Sequence, residues 1–294
     1  MARTAPEDGP LTVSAPPDRH PRFRLFRSPV ATVAAAILIV AVLAALLAPV
    51  LAPYSPTAMD LAHTLKPPGV DGHILGTDAL GRDILSRVLY GAQVSLTVGI
   101  ASVVGAAVLG VAIGLVAGFY GGFWDDLLMR LGDVQLAFPF ILLAFTVIAV
   151  LGASLRNLVL ILILQNWVTF ARLVRGEVLA IKELGYITAA KAVGESDMRI
   201  LVRHILPQVG GAIATVGSFT MAQAMISEAT LSFLGAGVPP PAPSWGGMLQ
   251  ENLIYINSAW WTLICPGAAL TLVILSLNLF GDWVRDVLDP TLRR

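Results

Sequence analysis

GYITAAKAVGESDMRILVRHILPQ, residues 185–208, is a charged, helix-favouring segment that stands between two long apolar runs. The chain around it has 294 residues, of which 56% are hydrophobic and 13% are charged. A soluble domain carries about 25% charged residues, so this composition is typical of an integral membrane protein. The segment is therefore predicted to be a polar loop between membrane-spanning helices.

Stretches without charge define the candidate spans, because crossing a hydrocarbon core takes about 18 apolar residues or more. One candidate span, at about residues 158–174, has a shorter apolar core, and it can extend if the side chains of Arg172 and Arg175 reach the membrane interface. The other stretches are bounded by Arg27 and Asp60, Arg87 and Asp125, Asp133 and Arg156, His204 and Glu228, and Glu251 and Asp282. We predict an all-α integral membrane protein with six transmembrane helices, at about residues 29–51, 93–118, 134–153, 158–174, 210–232 and 261–281.

The basic residues orient these helices, because cytoplasmic loops retain Lys and Arg. With the N-terminus inside, most of the 19 basic residues fall on the cytoplasmic side. Only Lys66, Arg82, Arg87 and Arg156 fall outside. Both termini are therefore expected in the cytoplasm.

Four regions are expected along the chain. Residues 1–28 are polar and contain prolines, which predicts a flexible cytoplasmic tail. Residues 29–92 hold the first span, an external loop and an amphipathic elbow, in which Asp83 to Tyr90 places apolar side chains on one face. Residues 93–284 form the core transmembrane domain with a cytoplasmic loop at about 182–208, and residues 285–294 form a second cytoplasmic tail.

Motifs for ATP hydrolysis, metalloprotease chemistry and serine hydrolysis are missing from the sequence. A Walker loop requires G-x-x-x-x-G-K-[ST], and the three lysines here follow Leu, Ile and Ala. The single cysteine, Cys265, cannot form an internal disulfide. No catalytic residue, metal site or cofactor is therefore expected within this chain.

Glu228 is the clear exception among the predicted spans, which otherwise hold almost no ionisable groups. If the fifth helix begins near Gly210, Glu228 lies about 27 Å along it, close to the outer face. One interpretation is an interfacial carboxylate bonded to Ser227 or Ser232. The other places Glu228 at an external gate or on the substrate path. Ion-coupled transporters bury more such groups, so a gradient-driven carrier is disfavoured.

The segment 185–208 predicts two helices joined at a glycine. Gly194 ends the first helix, and Ser196 can cap a second one with Asp197 in its first turn. Pro207 is expected to end that helix or to kink it into the fifth span. Such a projection is either an ordinary hairpin between spans or a surface that fits a groove of another protein. From the residues alone, a channel, a scaffold and the pore of a transporter powered by a partner all remain open.

The same segment resembles the EAA loop of permease subunits of ABC importers, whose pattern is E-A-A, three residues, G, nine residues and I-x-L-P. The spacing agrees, but Thr188 stands at the glutamate position and His204 at the isoleucine position. The resemblance implies that this loop couples the chain to an ATPase, without the salt bridge that a glutamate at residue 188 would offer. The implied coupling residues are Thr188, Ala189, Ala190, Gly194, His204, Leu206 and Pro207.

Three further segments are similar to the dipeptide, oligopeptide and nickel permease subfamily, and to its second, C-type subunit. They are LGTDALGRDILSRVLYGAQVSLTVGI at 75–100, ISEATLSFLGAGVPPPAPSWGGML at 226–249 and LNLFGDWVRDVLDPTLR at 277–293. The resemblance covers about residues 22–293. It implies a type I ABC importer permease fold in a bacterial inner membrane.

The resemblance also implies partners. A homologous permease subunit would complete the translocation pathway, and two ATP-binding subunits, or a homodimer of one, would bind ATP and Mg²⁺. An extracytoplasmic solute-binding protein would deliver a di- or oligopeptide, or a related solute such as nickel, an opine, glutathione or an oligosaccharide. The alternative from a different class is an ion-gradient-driven secondary transporter or channel.

Overall fold

The computed structural model describes residues 28–288, and every regular element within that range is helical. Residues 1–27 and 289–294, which hold most of the two predicted tails, lie outside the described residues. The helices are α1 (Pro29–Leu46), α2 (Ala48–Leu51), α3 (Ile84–Tyr120), α4 (Gly122–Ala137), α5 (Phe140–Leu151), α6 (Leu155–Ile181), α7 (Gly185–Ala192), α8 (Asp197–Arg199), α9 (Leu206–Phe233), α10 (Trp245–Asn252) and α11 (Trp261–Leu288).

Five helical runs in the described part of the chain are long and apolar enough to cross a membrane. They are α1, α3, α6, α11 and the run Asp197–Phe233. In that run, which we call the rod, α8 continues through a π-helical segment, Ile200–Ile205, into α9. A sixth crossing results if α4 and α5 count as one bent span. The predicted all-α membrane fold is confirmed, and each predicted span overlaps one of these elements.

The third span is not the continuous helix predicted at 134–153. The chain breaks between α4 and α5, whose axes meet at 89°. Pro139 lacks an N–H and disfavours a helical conformation in the residue before it, and Phe138 is extended, with φ −87° and ψ 128°. The 12 residues of α5 extend only about 18 Å, less than a hydrocarbon core of about 30 Å.

The predicted elbow at Asp83 to Tyr90 is not a separate surface helix. Asp83 caps α3, because its Oδ2 accepts a hydrogen bond of 2.8 Å from the Ser86 N–H, and the helix then runs without interruption to Tyr120. Ile84 and Arg87 in its first turn are buried. The polar side of the predicted elbow, with Arg82, Asp83, Ser86 and Arg87, is therefore covered by protein, whereas Leu85, Val88 and Leu89 on its apolar side are half-buried.

α3 and α6 form the closest helix pair, and three glycines of α3 permit it. A Cβ atom added to Gly110 would lie 2.3 Å from the Trp167 carbonyl oxygen, and one added to Gly114 would lie 2.6 Å from the Ala171 carbonyl oxygen. At Gly118 an added Cβ would meet the Val178 side chain at 2.7 Å. Small residues let helix backbones approach within a membrane, so this seam sets the position of α6 against α3.

A cap of loop residues 52–83 and α10 covers the first turns of α3, at the end that the charge pattern places outside. Asp78 Oδ2 accepts hydrogen bonds from Arg82 Nε and Arg87 Nη1, both at 2.6 Å. Glu251 Oε2 on α10 accepts from Arg82 Nη2 at 2.6 Å and from Arg87 Nη2 at 2.9 Å. Trp245 Nε1 donates to the Val88 carbonyl at 3.0 Å. The bonds of Glu251 and Trp245 join α10 to a part of the chain that is more than 150 residues away in the sequence.

Candidate functional site

The loop around α7 lies at the far end of α3 from the cap, about 55 Å away along that helix. Ile187 of α7 is fully buried against the ends of α3, α6 and the rod, in a cluster that includes Phe119, Val178 and Ile200. Lys191 Nζ lies 4.6 Å above the centre of the Phe119 ring, a cation–π contact. The cytoplasmic loop predicted at 182–208 thus packs at a defined position against three helices.

Gly194 ends α7 through hydrogen bonds that only a left-handed residue permits easily. Its φ is +86°. The Gly194 N–H donates to the Lys191 carbonyl at 3.0 Å, and the Glu195 N–H donates to the Ala190 carbonyl at 3.1 Å. This pair of bonds is the Schellman motif, in which glycine is favoured because it has no Cβ. The predicted change of direction at Gly194 is confirmed.

The second helix differs from its prediction at both ends. Ser196 occupies the N-cap position, but its side chain makes no capping bond. Pro207 neither ends nor interrupts the rod, because the preceding π-helical segment carries the backbone bonds with a longer spacing, as in Leu206 N–H to the Leu201 carbonyl. A widened turn relieves the clash between a proline ring and the carbonyl four residues earlier.

Two side-chain contacts tie α7 to the rod, one at each end of the helix. At its start, Gln208 Nε2 donates to the Tyr186 hydroxyl. Just past its end, Glu195 Oε2 lies 2.9 Å from His204 Nε2. His204 was predicted from the sequence to be a coupling residue, whereas Glu195 was not. The structure adds Glu195 as the contact partner of His204.

Of the remaining predicted coupling residues, some are exposed and others are half-buried. Thr188, Ala189, Gly194 and Pro207 are exposed, whereas Ala190 and Leu206 are half-buried against the cluster that holds Ile187. Beside Gly194, the apolar side chains of Val193 and Met198 are 89% and 69% exposed. α7 and the turn that follows it therefore present a small, partly apolar surface that nothing in the described chain covers.

Glu228 lies near the opposite end of the rod and is fully buried. Its Oε1 accepts a hydrogen bond from Ser232 Oγ at 2.7 Å, and its Oε2 accepts from Ser95 Oγ of α3 at 3.3 Å. The predicted bond to Ser232 is confirmed. Contacts of α9 with α3 and α10 bury this carboxylate within the protein, and both the interfacial position and a role at an external gate or on the substrate path stay predictions. Within residues 28–288 no Lys, Arg or His forms an ion pair with Glu228, and no three metal-ligating side chains converge.

Ser95 also connects this carboxylate to the cap. Its Oγ accepts a hydrogen bond of 3.3 Å from the Trp245 N–H, at the start of α10. Gly246 lets α10 lie directly on α9, since an added Cβ would be 2.5 Å from the Ala229 Cα. Glu228 thus lies where the ends of α3, α9 and α10 meet.

Residues 110–294 match the family described as the binding-protein-dependent transport system inner membrane component. Residues 22–68 match the N-terminal TM domain of oligopeptide transport permease C.

Curated relatives cover most of the chain. A putative peptide transport system permease protein of Brucella suis is 44% identical over 270 residues, which are 92% of this chain and 90% of the relative. A dipeptide transport system permease protein of Alkalihalophilus pseudofirmus is 40% identical over 98% of this chain and 94% of its own length. A glutathione transport system permease protein of Pectobacterium atrosepticum is 45% identical over 75% of this chain and 73% of its own length.

Among solved structures, an inward-facing form of the MetNI methionine ABC transporter resembles this chain in fold. The TM-score is 0.55 at 20% sequence identity, over 68% of this chain and 96% of the other. At that identity the likeness concerns the fold alone.

Proposed function

The chain belongs to the binding-protein-dependent transport system inner membrane component family, and we propose that it forms half of the translocation pathway for di- or oligopeptides or a related small solute. It is a multi-pass permease subunit of the ABC importer class, with the fold of such a permease. Members of this family are not the catalytic subunits. Two ATP-binding subunits would supply the energy, with ATP and Mg²⁺ bound there, and a second, homologous permease would complete the pathway.

The exposed face of α7 carries this proposal. α7 packs against α3, α6 and the rod through Ile187, while Val193, just past its end, and Met198, in α8 at the start of the rod, are exposed without a partner in the described chain. A short helix of this kind can lie in a groove of another protein through apolar anchors. An ATPase that closes on ATP would therefore displace α7, and the rod would transmit the displacement toward Glu228.

Thr188 alters how that contact would be made. A threonine cannot offer the carboxylate that the EAA pattern has at this position, so a salt bridge from residue 188 is excluded. We infer that docking relies on the apolar side chains of Val193 and Met198 and on close backbone approach at Ala189. An apolar contact of this kind is less sensitive to salt than an ion pair, because screening acts on exposed charges.

A gradient-driven carrier is the alternative class. Such carriers place ionisable groups in their spans to bind protons or cations. Glu228 is the one carboxylate that the charge-free stretches leave near a span interior, and serine hydroxyls already occupy it.

A peptide-type solute follows from the relatives, which are named for peptides, a dipeptide and glutathione.

The experiment is uptake by the complete transporter, purified with its ATPase and second permease and reconstituted in vesicles. The extracytoplasmic binding protein and a labelled tripeptide are added outside, with glutathione and Ni²⁺ in parallel arms. We expect tripeptide uptake only in vesicles loaded with ATP and Mg²⁺, and none under an imposed proton or sodium gradient without nucleotide. Uptake driven by a gradient in vesicles that lack the ATPase would contradict the proposed function.

A further inference from the structure

The side chains of Glu195 and His204 form a contact across the turn at Gly194. Glu195 follows the glycine directly, and His204 lies in the π-helical segment at the start of the rod. Their side chains meet at 2.9 Å across the turn. Across the turn itself, the two Schellman hydrogen bonds fix the backbone at Gly194, but they hold no side chain of the Gly194 end of α7 against the rod.

The rod is an effective lever because it is continuous. Asp197–Phe233 is a single run of 37 residues, about 55 Å long from the helical rise per residue. One end carries the contact with Glu195, and the other carries Glu228 with its bonds to Ser232 and Ser95. A displacement of α7 reaches the far end only if α7 and the rod move as one body.

We propose that Glu195 and His204 are positioning residues that clamp α7 to the rod, so that force on α7 is converted into movement of the rod and not into bending at Gly194. This inference rests on the proposed function. Neither residue needs to touch the solute or the nucleotide. The Tyr186–Gln208 contact holds the other end of α7, so losing the clamp frees the Gly194 end alone.

The clamp can be tested because it contributes little to folding. The side chains of His204 and Glu195 are 30% and 22% exposed, and a partly exposed side-chain hydrogen bond stabilises a protein only weakly. Removing the contact should leave a folded protein with a looser turn. Transport efficiency, the number of solute molecules taken up per ATP hydrolysed, then reports on the clamp separately from protein yield.

The experiment compares Glu195→Ala, His204→Ala, the double alanine variant and the exchanged pair Glu195→His/His204→Glu in the reconstituted transporter. We expect each single variant to lower the transport efficiency about fivefold, the change in an equilibrium constant that the loss of one typical hydrogen bond causes. The double variant should fall no further, since both substitutions remove the same contact. The exchanged pair should recover most of the efficiency. Glu183→Ala, an exposed acid on the same loop, is the matched control and should keep the wild-type efficiency.

Three results would overturn the clamp while leaving the proposed function intact: a double variant with wild-type efficiency, an exchanged pair no better than the single variants, or a control that falls as far as Glu195→Ala. A wild-type transporter with no ATP-dependent uptake would overturn the proposed function itself, and the clamp with it. The two failures are distinguished by the wild-type measurement.

Discussion

Replacing Arg87 by methionine is expected to destabilise the folded protein by about 3–5 kcal/mol, the range for removing one partner of a buried ion pair. Arg87 is 1% exposed, and its guanidinium bonds both Asp78 and Glu251. Methionine fills a similar volume but leaves Asp78, also buried, with less compensation. The thermal unfolding midpoint of the purified protein in detergent is the measurement.

Arg156 provides the matched control for this substitution. It is the exposed arginine that follows the first residue of α6, so Arg156→Met removes the same group from a solvated position. Its unfolding midpoint should stay close to wild type, because surface substitutions usually change stability by about 0.5 kcal/mol or less. Equal midpoints for the two variants would show that the ion pairs of Arg87 do not hold the cap on α3.

Gly114→Leu is expected to prevent α3 and α6 from packing and to abolish most of the folded protein. An added Cβ would lie 2.6 Å from the Ala171 carbonyl oxygen and 2.8 Å from the Val174 Cβ. The nearest atom belongs to the backbone, so a rotamer change cannot remove the clash, and overpacking costs about 1–3 kcal/mol even where side chains can adjust. Yield of monodisperse protein by size-exclusion chromatography is the measurement.

Gly176 is the control for the seam. It lies on α6 one turn past Arg172, and an added Cβ would meet no atom within 4 Å. Gly176→Leu should therefore give a wild-type yield, since a better helix former replaces glycine without a clash. If Gly114→Leu gave the same yield as Gly176→Leu, the close approach of α3 and α6 would be refuted.

Local sequence signals predicted the helical spans and the turn at Gly194. A long apolar stretch without charge indicates a helix that crosses the membrane. A glycine that follows eight helix-favouring residues indicates a left-handed residue at the end of a helix. The break at Pro139 also has a local signal, because proline interrupts helices. Defining spans by missing charge alone overlooked it, since the charge-free stretch continues through Pro139.

Contacts between distant residues were not predictable in the same way. Arg87 and Glu251 are 164 residues apart, and the burial of Glu228 depends on Ser95 of another helix and on the position of α10. The elbow was misassigned for the same reason: its amphipathic pattern was correct, but the sequence does not say whether protein or lipid headgroups cover the polar face. Pairing of Glu195 with His204 depends on how the π-helical segment turns the histidine.

Attachment of the ATPase to α7 is the central claim, and cysteine cross-linking within the assembled transporter tests it most directly. The chain has one cysteine, so Cys265→Ser gives a background in which Val193→Cys is the only thiol of this chain. Val193 is 89% exposed beside Gly194. Ile254→Cys, at a residue 79% exposed just after α10, is the control at the opposite end.

With a short thiol-to-amine cross-linker, Val193→Cys is expected to join the ATPase subunit in high yield, and Ile254→Cys is expected to join none. ATP should change the yield from Val193→Cys, because closure of the ATPase is proposed to displace α7. Cross-linking of the ATPase through Ile254→Cys, with none through Val193→Cys, would contradict the assignment of α7 as the site where the ATPase binds.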